Sequence, residues 1–340
     1  MKQFVFPSVV ESHNIELRNV AADLVHGIKV FENDTGYIVG HLALSEGHSP
    51  HKAINSAPED LDYRLLLKSG LLLAATVVDD PLVVTLGFPF STYQINRDGV
   101  NGVLGKEFTI DYDTSPYGGR GRQSKTVEIE KLDVIPEVIA SIIGARKGSM
   151  TQKGSFFMAS LGYGTFEACL TSESGIVQRT MVSTQGMRYA IDIAMREMMQ
   201  KYYLGLRTEH QFDQAFQRGT ITVNRKRIDL TEIRSRALRR YYEDVISPVL
   251  RNTWADDDFS GTTTMILAGG GALYPELVSG FQDEFGGVVA VSVAEDPLTL
   301  ASTGYCLRSQ GLNRGETGAA VGLDIGNAQT VLTVKTNLEA

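Results

Sequence analysis

An apolar stretch near the end of the chain, residues 321–334, limits the folds that the chain can adopt. Aliphatic residues lead to a single carboxylate, Asp324, small residues follow, and β-branched and aliphatic residues then alternate. This pattern predicts a strand, a tight turn and a second strand. At the mouth of such a hairpin, the N–H groups of Gly326 and Asn327 can point at an anion while Asp324 reaches a hydrated cation. The stretch therefore suits a nucleotide phosphate with Mg²⁺, although Asp, Gly and Asn are also the common residues of an ordinary β-turn.

The composition predicts a globular protein of about two domains. The chain has 340 residues, of which 43% are hydrophobic and 21% charged, and its formal net charge is −8. This length exceeds the usual size of a single core, and the composition is not that of a disordered chain. The negative charge predicts no overall attraction to DNA or to an anionic membrane, but it leaves room for a local basic patch.

Cysteine usage and hydropathy predict a cytoplasmic protein without a membrane span. Cys169 and Cys306 both lie in apolar contexts, so neither a disulfide framework nor a metal site is indicated, and a reducing compartment fits. The most apolar region, residues 65–84, is interrupted by Lys68 and by two aspartates, which makes it too broken to cross a bilayer. The first residues also lack the apolar core of a signal peptide.

Predicted helices and strands alternate through the first half of the chain. Residues 61–77 have helical periodicity, and residues 82–87 form an apolar run typical of a strand covered on both faces. Further strands are predicted at residues 3–10, 36–42 and 125–135, and a further helix at 138–145. This alternation indicates an α/β architecture.

Residues 96–122 are polar and rich in glycine, and we expect them to form an exposed excursion. Its tip, residues 117–122, carries two arginines that could bind phosphate or a partner. A mobile hairpin loop is the alternative, because glycine removes order more readily than it builds a site.

A second hairpin is predicted at residues 155–170, where Gly162 and Gly164 separate two alternating runs. Two hairpins of this kind indicate a duplicated design, one copy per domain, with a phosphate chain held between the copies. Gly186 then precedes a predicted helix, residues 187–203, whose first N–H groups could contribute to a nucleotide pocket. The alternative is that Gly186 only precedes the start of a helix.

Three successive glycines, residues 269–271, separate a predicted strand at 262–267 from a helix that starts at Pro275. Because no side chain stands there, a flat ring or a phosphate could approach the backbone. Another predicted helix, residues 230–249, carries arginines off its apolar face that could contact adenine, ribose or a neighbouring subunit, or could simply be solvated. The last predicted helix begins near residue 296.

Taken together, these stretches resemble the motifs of the actin-like ATPases, in the superfamily shared with DnaK-type chaperones and sugar kinases. LDIGN at 323–327 resembles the first phosphate motif, LGYGT at 161–165 the second, AGGGA at 268–272 the adenosine motif, VIPE at 134–137 the first connecting segment, and Pro297, Ala301 and Gly304 the second connecting helix. GFPFSTY at 87–93 is similar to a strand-end stretch of the plasmid-segregation ParM branch. The resemblance covers nearly the whole chain.

The resemblance implies an α/β, actin-like (RNase H-like) two-domain ATPase fold, with mixed sheets covered by helices and a nucleotide cleft between the domains. Domain I would comprise residues 1–146 and 318–340, and domain II residues 147–317. The first phosphate motif normally opens the chain, whereas here it closes it. The sequence therefore resembles a circular permutant, natural or engineered, in which residues 6–8 belong to the family's third strand.

The resemblance also implies the cofactors ATP or ADP and Mg²⁺ and a set of site residues. Asp324 would hold the metal and act in catalysis, and Glu137 would orient or deprotonate the attacking water. The alternative for Glu137 is a helix-start carboxylate stabilised by the helix dipole. Nucleotide contacts would come from Gly326, Asn327, Gln329, Thr330, Ser160, Gly162, Tyr163, Gly164, Thr165, Gly186, Gly269, Gly270, Gly271 and Ala272.

One position departs from the family's pattern. The second phosphate motif usually begins with Asp, and this chain has Ser160 there, with Glu167 further along the hairpin. A hydroxyl brings no charge to a hydrated Mg²⁺, so we expect nucleotide binding to survive and hydrolysis to be slowed.

The function implied is a polymerising cytoskeletal ATPase whose subunits assemble head to tail into a homopolymer filament. Plasmid or DNA segregation is the use expected of the ParM-like branch, and the acidic chain favours an adaptor protein over direct DNA contact. The alternatives are a non-polymerising ATPase or chaperone of the same superfamily, and a weakly hydrolysing nucleotide-bound scaffold. The lack of an added substrate-binding domain disfavours a DnaK-type chaperone.

Overall fold

The computed structural model describes residues 1–52, 57–204, 209–313 and 318–335. The strands are β1 Lys2–Pro7, β2 Val9–Ser12, β3 Lys29–Glu32, β4 Thr35–Val39, β5 His51–Lys52, β6 Leu82–Phe88, β7 Glu107–Asp113, β8 Arg122–Pro136, β9 Phe156–Leu161, β10 Thr165–Ser172, β11 Gly175–Ile176, β12 Val182–Gln185, β13 Thr220–Val223, β14 Lys226–Asp229, β15 Thr264–Ala268, β16 Ala290–Val293, β17 Ala319–Ile325 and β18 Gln329–Lys335. The helices are α1 His41–Glu46, α2 Leu61–Ala74, α3 Tyr93–Val103, α4 Glu137–Lys147, α5 Arg188–Lys201, α6 Glu209–Arg218, α7 Thr231–Tyr241, α8 Ser247–Thr253, α9 Pro275–Phe285 and α10 Leu300–Leu312.

The chain divides into two compact units. Unit 1 comprises Met1–Gly148 and Ala301–Ala340, and unit 2 comprises Ser149–Leu300. The sequence-based boundary after residue 317 differs from this division, because α10 packs within unit 1: Ser309 Oγ donates to the carbonyl of Val321 at 2.8 Å, and Gly304 lies against the backbone of Ala140. Residues 314–317 and 336–340, which the predicted boundaries also assign, lie outside the described residues.

The sheet of unit 1 is built around the hairpin that the sequence predicted at residues 321–334. Its described strands pair in the order β1-β18-β17-β6-β8-β7-β3-β4-β2-β5. β17 and β18 are antiparallel, whereas β17, β6 and β8 run parallel to one another. The sheet is therefore mixed, and the carboxyl ends of three neighbouring strands meet at one edge.

The strand predicted at residues 3–10 is two strands in the structure. The break falls at Ser8, whose N–H donates to the carbonyl of Ala328 at 3.0 Å. Before this residue the chain pairs with β18, and after it the chain pairs with β4 and β5. A continuous apolar run does not reveal such a change of neighbours, because burial is maintained on both sides of it.

The prediction of an exposed excursion at residues 96–122 is wrong. That segment contains most of α3 and all of β7, and Val100 and Ile110 are both completely buried. The basic tip is partly engaged, since Arg122 binds Asp111 and Asp34 at 2.8 and 2.9 Å. The strand predicted at 36–42 also ends early, at Val39, because Gly40 adopts φ 63° and α1 follows.

The core of unit 1 lies between its sheet and α2, which was predicted as residues 61–77. Ten residues of α2 are buried. A Cβ on Gly70 would lie 2.6 Å from Leu323 Cδ1, so the absence of a side chain at this position allows the helix to approach β17 closely. The helix predicted at 138–145 is confirmed as α4.

Unit 2 contains a mixed sheet in the order β11-β10-β9-β15-β16, and β12 also pairs with β10. β9 and β10 form the second predicted hairpin, and β9 runs parallel to β15. Trp254 helps to close the core, with its ring centroid 4.4 Å from that of Phe157 and its Nε1–H donating to the carbonyl of Thr180 at 2.8 Å. The sequence did not predict β16 or the β13–β14 hairpin.

The helix predicted at residues 230–249 is interrupted. α7 ends at Tyr241, a π-helical turn spans Tyr242–Ile246, and α8 continues from Ser247. Within the part of the chain that the structure describes, no helix is both long enough and apolar enough to cross a membrane.

Candidate functional site

The hairpin of unit 1 turns through a two-residue loop, Asn327 and Ala328. The N–H of Gly326 donates to the carbonyl of Gln329 at 3.1 Å, which closes the loop. This N–H is therefore used in the turn, and the contact of Gly326 with an anion stays a prediction. Residues 324–329 are all half-buried, so the loop keeps a surface that a ligand can reach.

Two predicted contact residues follow the loop, and they have different surroundings. Thr330 is completely buried, and its Oγ1 lies 2.9 Å from Ser8 Oγ. Its hydroxyl therefore links β18 to the break between β1 and β2, and the predicted nucleotide contact is not supported. Gln329 Oε1 is buried, and no described atom hydrogen bonds to it, so this amide keeps an acceptor for a ligand or water.

The structure brings Asp324 and Glu137 to the same edge of the sheet. Asp324 is the sixth residue of the seven-residue strand β17, and Glu137 directly follows β8 at the start of α4. β6 lies between these strands, with Leu86 beside Leu323 and Gly87 beside Ile135. Since all three strands run parallel, their carboxyl ends, with both carboxylates, lie together.

Burial and mutual repulsion act on these two carboxylates. Burial raises the pKa of Asp324 well above its ordinary value, and the nearby charge of Glu137 raises it further. Burial raises the pKa of Glu137 to about 7. Both residues are half-buried and keep some surface open to solvent, so they can exchange protons and bind an incoming ion.

The donor set fits a cation such as Mg²⁺. A divalent ion beside Asp324 and Glu137 would relieve their repulsion and favour the ionised forms. The described residues include no cluster of three or more His, Cys, Asp or Glu side chains arranged to hold a metal. Mg²⁺ does not require such a cluster, because it is commonly held by one or two carboxylates together with phosphate oxygens and water.

The hairpin of unit 2 closes in the same way as the hairpin of unit 1. The N–H of Gly162 donates to the carbonyl of Thr165 at 3.0 Å, around a two-residue loop of Tyr163 and Gly164. Gly162, Tyr163, Gly164, Thr165 and Ser160 are all half-buried. The duplication inferred from the sequence therefore extends to the same hydrogen bond in each turn.

The start of α5 does not offer free N–H groups to a nucleotide. The N–H groups of Gly186, Met187 and Arg188 donate to the carbonyls of Gly164, Gly162 and Tyr163 at 2.9–3.0 Å. A Cβ on Gly186 would lie 2.5 Å from the Gly162 oxygen. Gly186 therefore packs closely against the hairpin, and its contact with a nucleotide stays a prediction.

The three glycines have separate roles. Gly269 adopts φ +79°, and a Cβ on it would lie 2.7 Å from the carbonyl oxygen of Leu161; one on Gly271 would lie 2.6 Å from Leu161 Cβ. At Gly270 the nearest atom would be Leu298 Cδ2, at 3.5 Å. Gly269 and Gly271 therefore let this loop pack on the end of β9, Gly270 leaves space beside the backbone, and Ala272 is buried.

Three of the arginines predicted to lie off the apolar face of α7 bind groups within unit 2. Arg236 binds Glu197 at 2.6 Å, and Arg240 binds Asp244 at 2.9 Å. Arg234 donates to the carbonyl of Phe216 at 3.3 Å. The side chains of Arg236 and Arg240 also remain more than half exposed, which favours the solvated alternative over a contact with adenine or ribose.

Ser160 lies opposite Glu167 in the pairing of β9 with β10. Residues directly opposite each other on antiparallel strands point to the same face of the sheet. Glu167 is 2% exposed, and its Oε1 accepts a hydrogen bond from Ser183 Oγ at 3.3 Å. The carboxylate that is missing at position 160 therefore has a counterpart on the next strand.

Sequence reasoning did not identify Tyr63, which lies in the first turn of α2 and is 3% exposed. Its ring stacks on Phe88 with 5.5 Å between centroids. Burial, followed by the nearby charge of Asp324, raises its pKa. The only signal in the sequence is a polar-tipped aromatic residue at an apolar helix position, and that pattern is common in ordinary cores.

No family model matches the sequence, and no curated protein matches it. Solved structures do match. A 15-stranded ParM filament from Clostridium botulinum is similar with a TM-score of 0.71 and 17% sequence identity, over 91% of this chain and 93% of that chain. The archaeal actin homologue Ta0583 is similar with a TM-score of 0.69 and 16% identity, over 92% and 94%. The complex of Ta0583 with ADP is similar with a TM-score of 0.67 and 15% identity, also over 92% of this chain and 94% of that chain.

These similarities extend over more than nine-tenths of this chain and of each matched chain. At such low identity they establish the fold and not the activity. The mixed α/β chain therefore has an actin-like fold of the kind found in ParM and Ta0583, which confirms the fold class predicted from the sequence.

Proposed function

We propose that this chain is an actin-like ATPase that binds ATP and ADP with Mg²⁺ and assembles into filaments. The proposal rests on one observation: Asp324 and Glu137 lie at the same edge of the unit 1 sheet, beside its hairpin, in a chain with an actin-like fold. Two carboxylates with raised pKa values are the arrangement expected of a site that holds a cation and handles a proton. The ParM and Ta0583 structures support it, since one is a filament and another contains ADP.

In the proposed reaction, Glu137 orients the attacking water and accepts its proton. A pKa of about 7 suits this role, because a general base works best when its pKa is near the operating pH. Asp324 would hold Mg²⁺, and the bound ion would neutralise developing charge on the phosphates. The half-buried loop of the unit 1 hairpin, with Asn327, would contact the phosphates.

Nucleotide-dependent assembly into a homopolymer would use a head-to-tail contact between copies of the chain. Cytoplasmic plasmid or DNA segregation is the use we propose, with an adaptor protein making the link to DNA because the chain carries a net charge of −8. The second candidate is a nucleotide-bound scaffold with weak catalysis. Ser160 favours it, since a hydroxyl supplies no charge at that position.

The position of the hairpin in the sheet supports the proposed circular permutation. β18 lies between β1 and β17, and Lys2 is paired with Val334, so the two ends of the described chain are neighbours. A rearranged chain that begins at Gly318 and joins Ala340 to Met1 should fold, with a Tm within a few degrees of the parent. An unfolded product would contradict the permuted arrangement.

The experiment that tests the function is 90° light scattering with parallel electron microscopy. Purified protein is compared with Mg²⁺ and ATP, with Mg²⁺ and ADP, and without nucleotide, while phosphate release is recorded. Scattering that rises with ATP, together with filaments on the grid, is the expected result. Flat scattering with phosphate release would favour a non-polymerising ATPase, and filaments without phosphate release would favour the scaffold.

A further inference from the structure

Tyr63 carries a buried hydroxyl without a hydrogen-bond partner among the described residues. The residue is 3% exposed, and among the described residues no atom forms a hydrogen bond with its Oη. An unsatisfied buried hydroxyl costs stability, which phenylalanine at the same position would avoid. The hydroxyl is therefore available to bind a molecule that is not part of the protein, such as water.

Packing places this hydroxyl at the edge of the sheet that carries Asp324 and Glu137. Gly70, which is two helical turns along α2 and on the same face as Tyr63, contacts Leu323, the neighbour of Asp324. The ring of Tyr63 stacks on Phe88, the last residue of β6. Phe88 is paired with Pro136, which precedes Glu137.

Electrostatics agrees with this placement. After burial, the charge of Asp324 is the second cause of the raised pKa of Tyr63. The hydroxyl thus stays protonated and is able to donate a hydrogen bond at every physiological pH. The carboxylate of Asp324 is near enough to raise the pKa of the hydroxyl, but the two groups form no direct hydrogen bond.

We propose that the Tyr63 hydroxyl is a positioning group for the cation site, which holds a water molecule against the carboxylate of Asp324. This inference rests on the proposed function, because it concerns the same site. Mg²⁺ keeps several of its waters when it binds a protein, and groups that hydrogen bond to ligands and waters around a metal set its affinity. Tyr63 would therefore change how much Mg²⁺ strengthens nucleotide binding without touching the nucleotide.

The test compares the parent with Tyr63→Phe, which keeps the ring on Phe88 and removes only the oxygen. The dissociation constant of a fluorescent ADP analogue is measured with Mg²⁺ and with EDTA, and Tm is measured without nucleotide. We expect the gain in affinity due to Mg²⁺ to fall about tenfold, the lower end of the effect of removing such an outer group. Affinity in EDTA should be unchanged, and Tm should be equal or higher.

Tyr112→Phe is the matched control. Its hydroxyl donates to Gln123 Oε1 at 3.1 Å on β7, a strand separated from β17 by β8 and β6, so the gain due to Mg²⁺ should be preserved. If Mg²⁺ increases the affinity of Tyr63→Phe for ADP as much as that of the parent, the inference about Tyr63 is wrong, but the proposed function is not affected. Equal losses of affinity with Mg²⁺ and with EDTA, together with a lower Tm, would make the hydroxyl structural and also overturn it. A parent that binds no ADP would overturn the proposed function, and this inference with it.

Discussion

The charge of Glu137 raises the pKa of Asp324 beyond the effect of burial alone, which couples the two carboxylates electrostatically. Glu137 and Asp324 lie far apart in the sequence. The parallel run of β17, β6 and β8 brings them together, and a ligand that supplies positive charge would relieve the repulsion. In the absence of nucleotide and metal, the pair should therefore cost stability when both groups are ionised.

Stability without nucleotide should decrease as the pH rises. Glu137 has an ordinary pKa of 4.5 and a pKa of about 7 in the folded chain. Between these values the folded state binds more protons, so the stabilisation present below pH 4.5 is lost as the pH rises through about 7. Glu137→Gln should remove much of this dependence and stabilise the protein at pH 8 by about 1–2 kcal/mol, after allowance for solvent screening of a half-buried group.

The measurement is thermal unfolding of both proteins between pH 5 and pH 8, compared as a difference curve because other groups also titrate. Parallel curves for the parent and Glu137→Gln would show that this carboxyl does not carry the effect. Addition of Mg²⁺ and ADP should reduce the difference at pH 8, since a bound cation favours the ionised forms.

Asp324→Ala should abolish Mg²⁺-dependent hydrolysis. The side chain is the proposed ligand of the metal, and no cluster of three or more acidic, His or Cys side chains among the described residues could replace it. Phosphate release is measured against Asp98→Asn, which changes an exposed carboxylate on α3. Full turnover in Asp324→Ala would refute the assignment of the cation site.

Glu137→Gln should slow hydrolysis about 100-fold or more, the usual contribution of a general base. Nucleotide affinity should be preserved, because the amide keeps the size of the side chain. The pH profile offers a second measurement: the parent's rate should rise through about pH 7, where Glu137 ionises, and the residual rate of the variant should not. Loss of nucleotide binding would make Glu137 a structural residue at the start of α4.

The three glycines at 269–271 should respond differently to alanine. Gly271→Ala should destabilise the protein by about 1–3 kcal/mol, because the new methyl group would collide with Leu161. Gly270→Ala should change stability by less than about 0.5 kcal/mol, since this position has space, and any loss of ATP affinity would place the ligand there. Denaturant unfolding and nucleotide titration of both variants provide the comparison, and similar stability losses at both positions would contradict these separate roles.

These glycines show which features could be predicted from the sequence and which could not. Both hairpins follow from local patterns of alternation and turn residues, so their strands and loops could be predicted. The reason for glycine at Gly186, Gly269 and Gly271 is contact with the end of β9 and its turn, and a sequence gives no access to such packing partners. A glycine that the sequence suggests is needed for ligand binding can therefore be needed for close packing against the backbone of a neighbouring strand.

The same limit explains the errors in the first half of the chain. α3 and β7 were missed because their glycines and charges made the segment look irregular, whereas Val100 and Ile110 are held in the core by the rest of the sheet. Tyr63 was missed because its relation to Asp324 depends on how α2 packs on β17. Asp324 and Glu137 could be named from a family resemblance, but their coupling could be found only from the fold.

Ser160 offers a prediction about the position that departs from the family pattern. Ser160→Asp would place a carboxylate opposite Glu167, which is 2% exposed and points to the same face of the sheet. Like charges directly opposite are destabilising, so Ser160→Asp should be less stable than Ser160→Asn by about 1 kcal/mol at pH 8. This difference in stability measures the repulsion between the two carboxylates. Combination with Glu167→Gln should remove it in a double-mutant cycle measured by denaturant unfolding; a difference that persists would mean that Glu167 does not oppose a charge at this position.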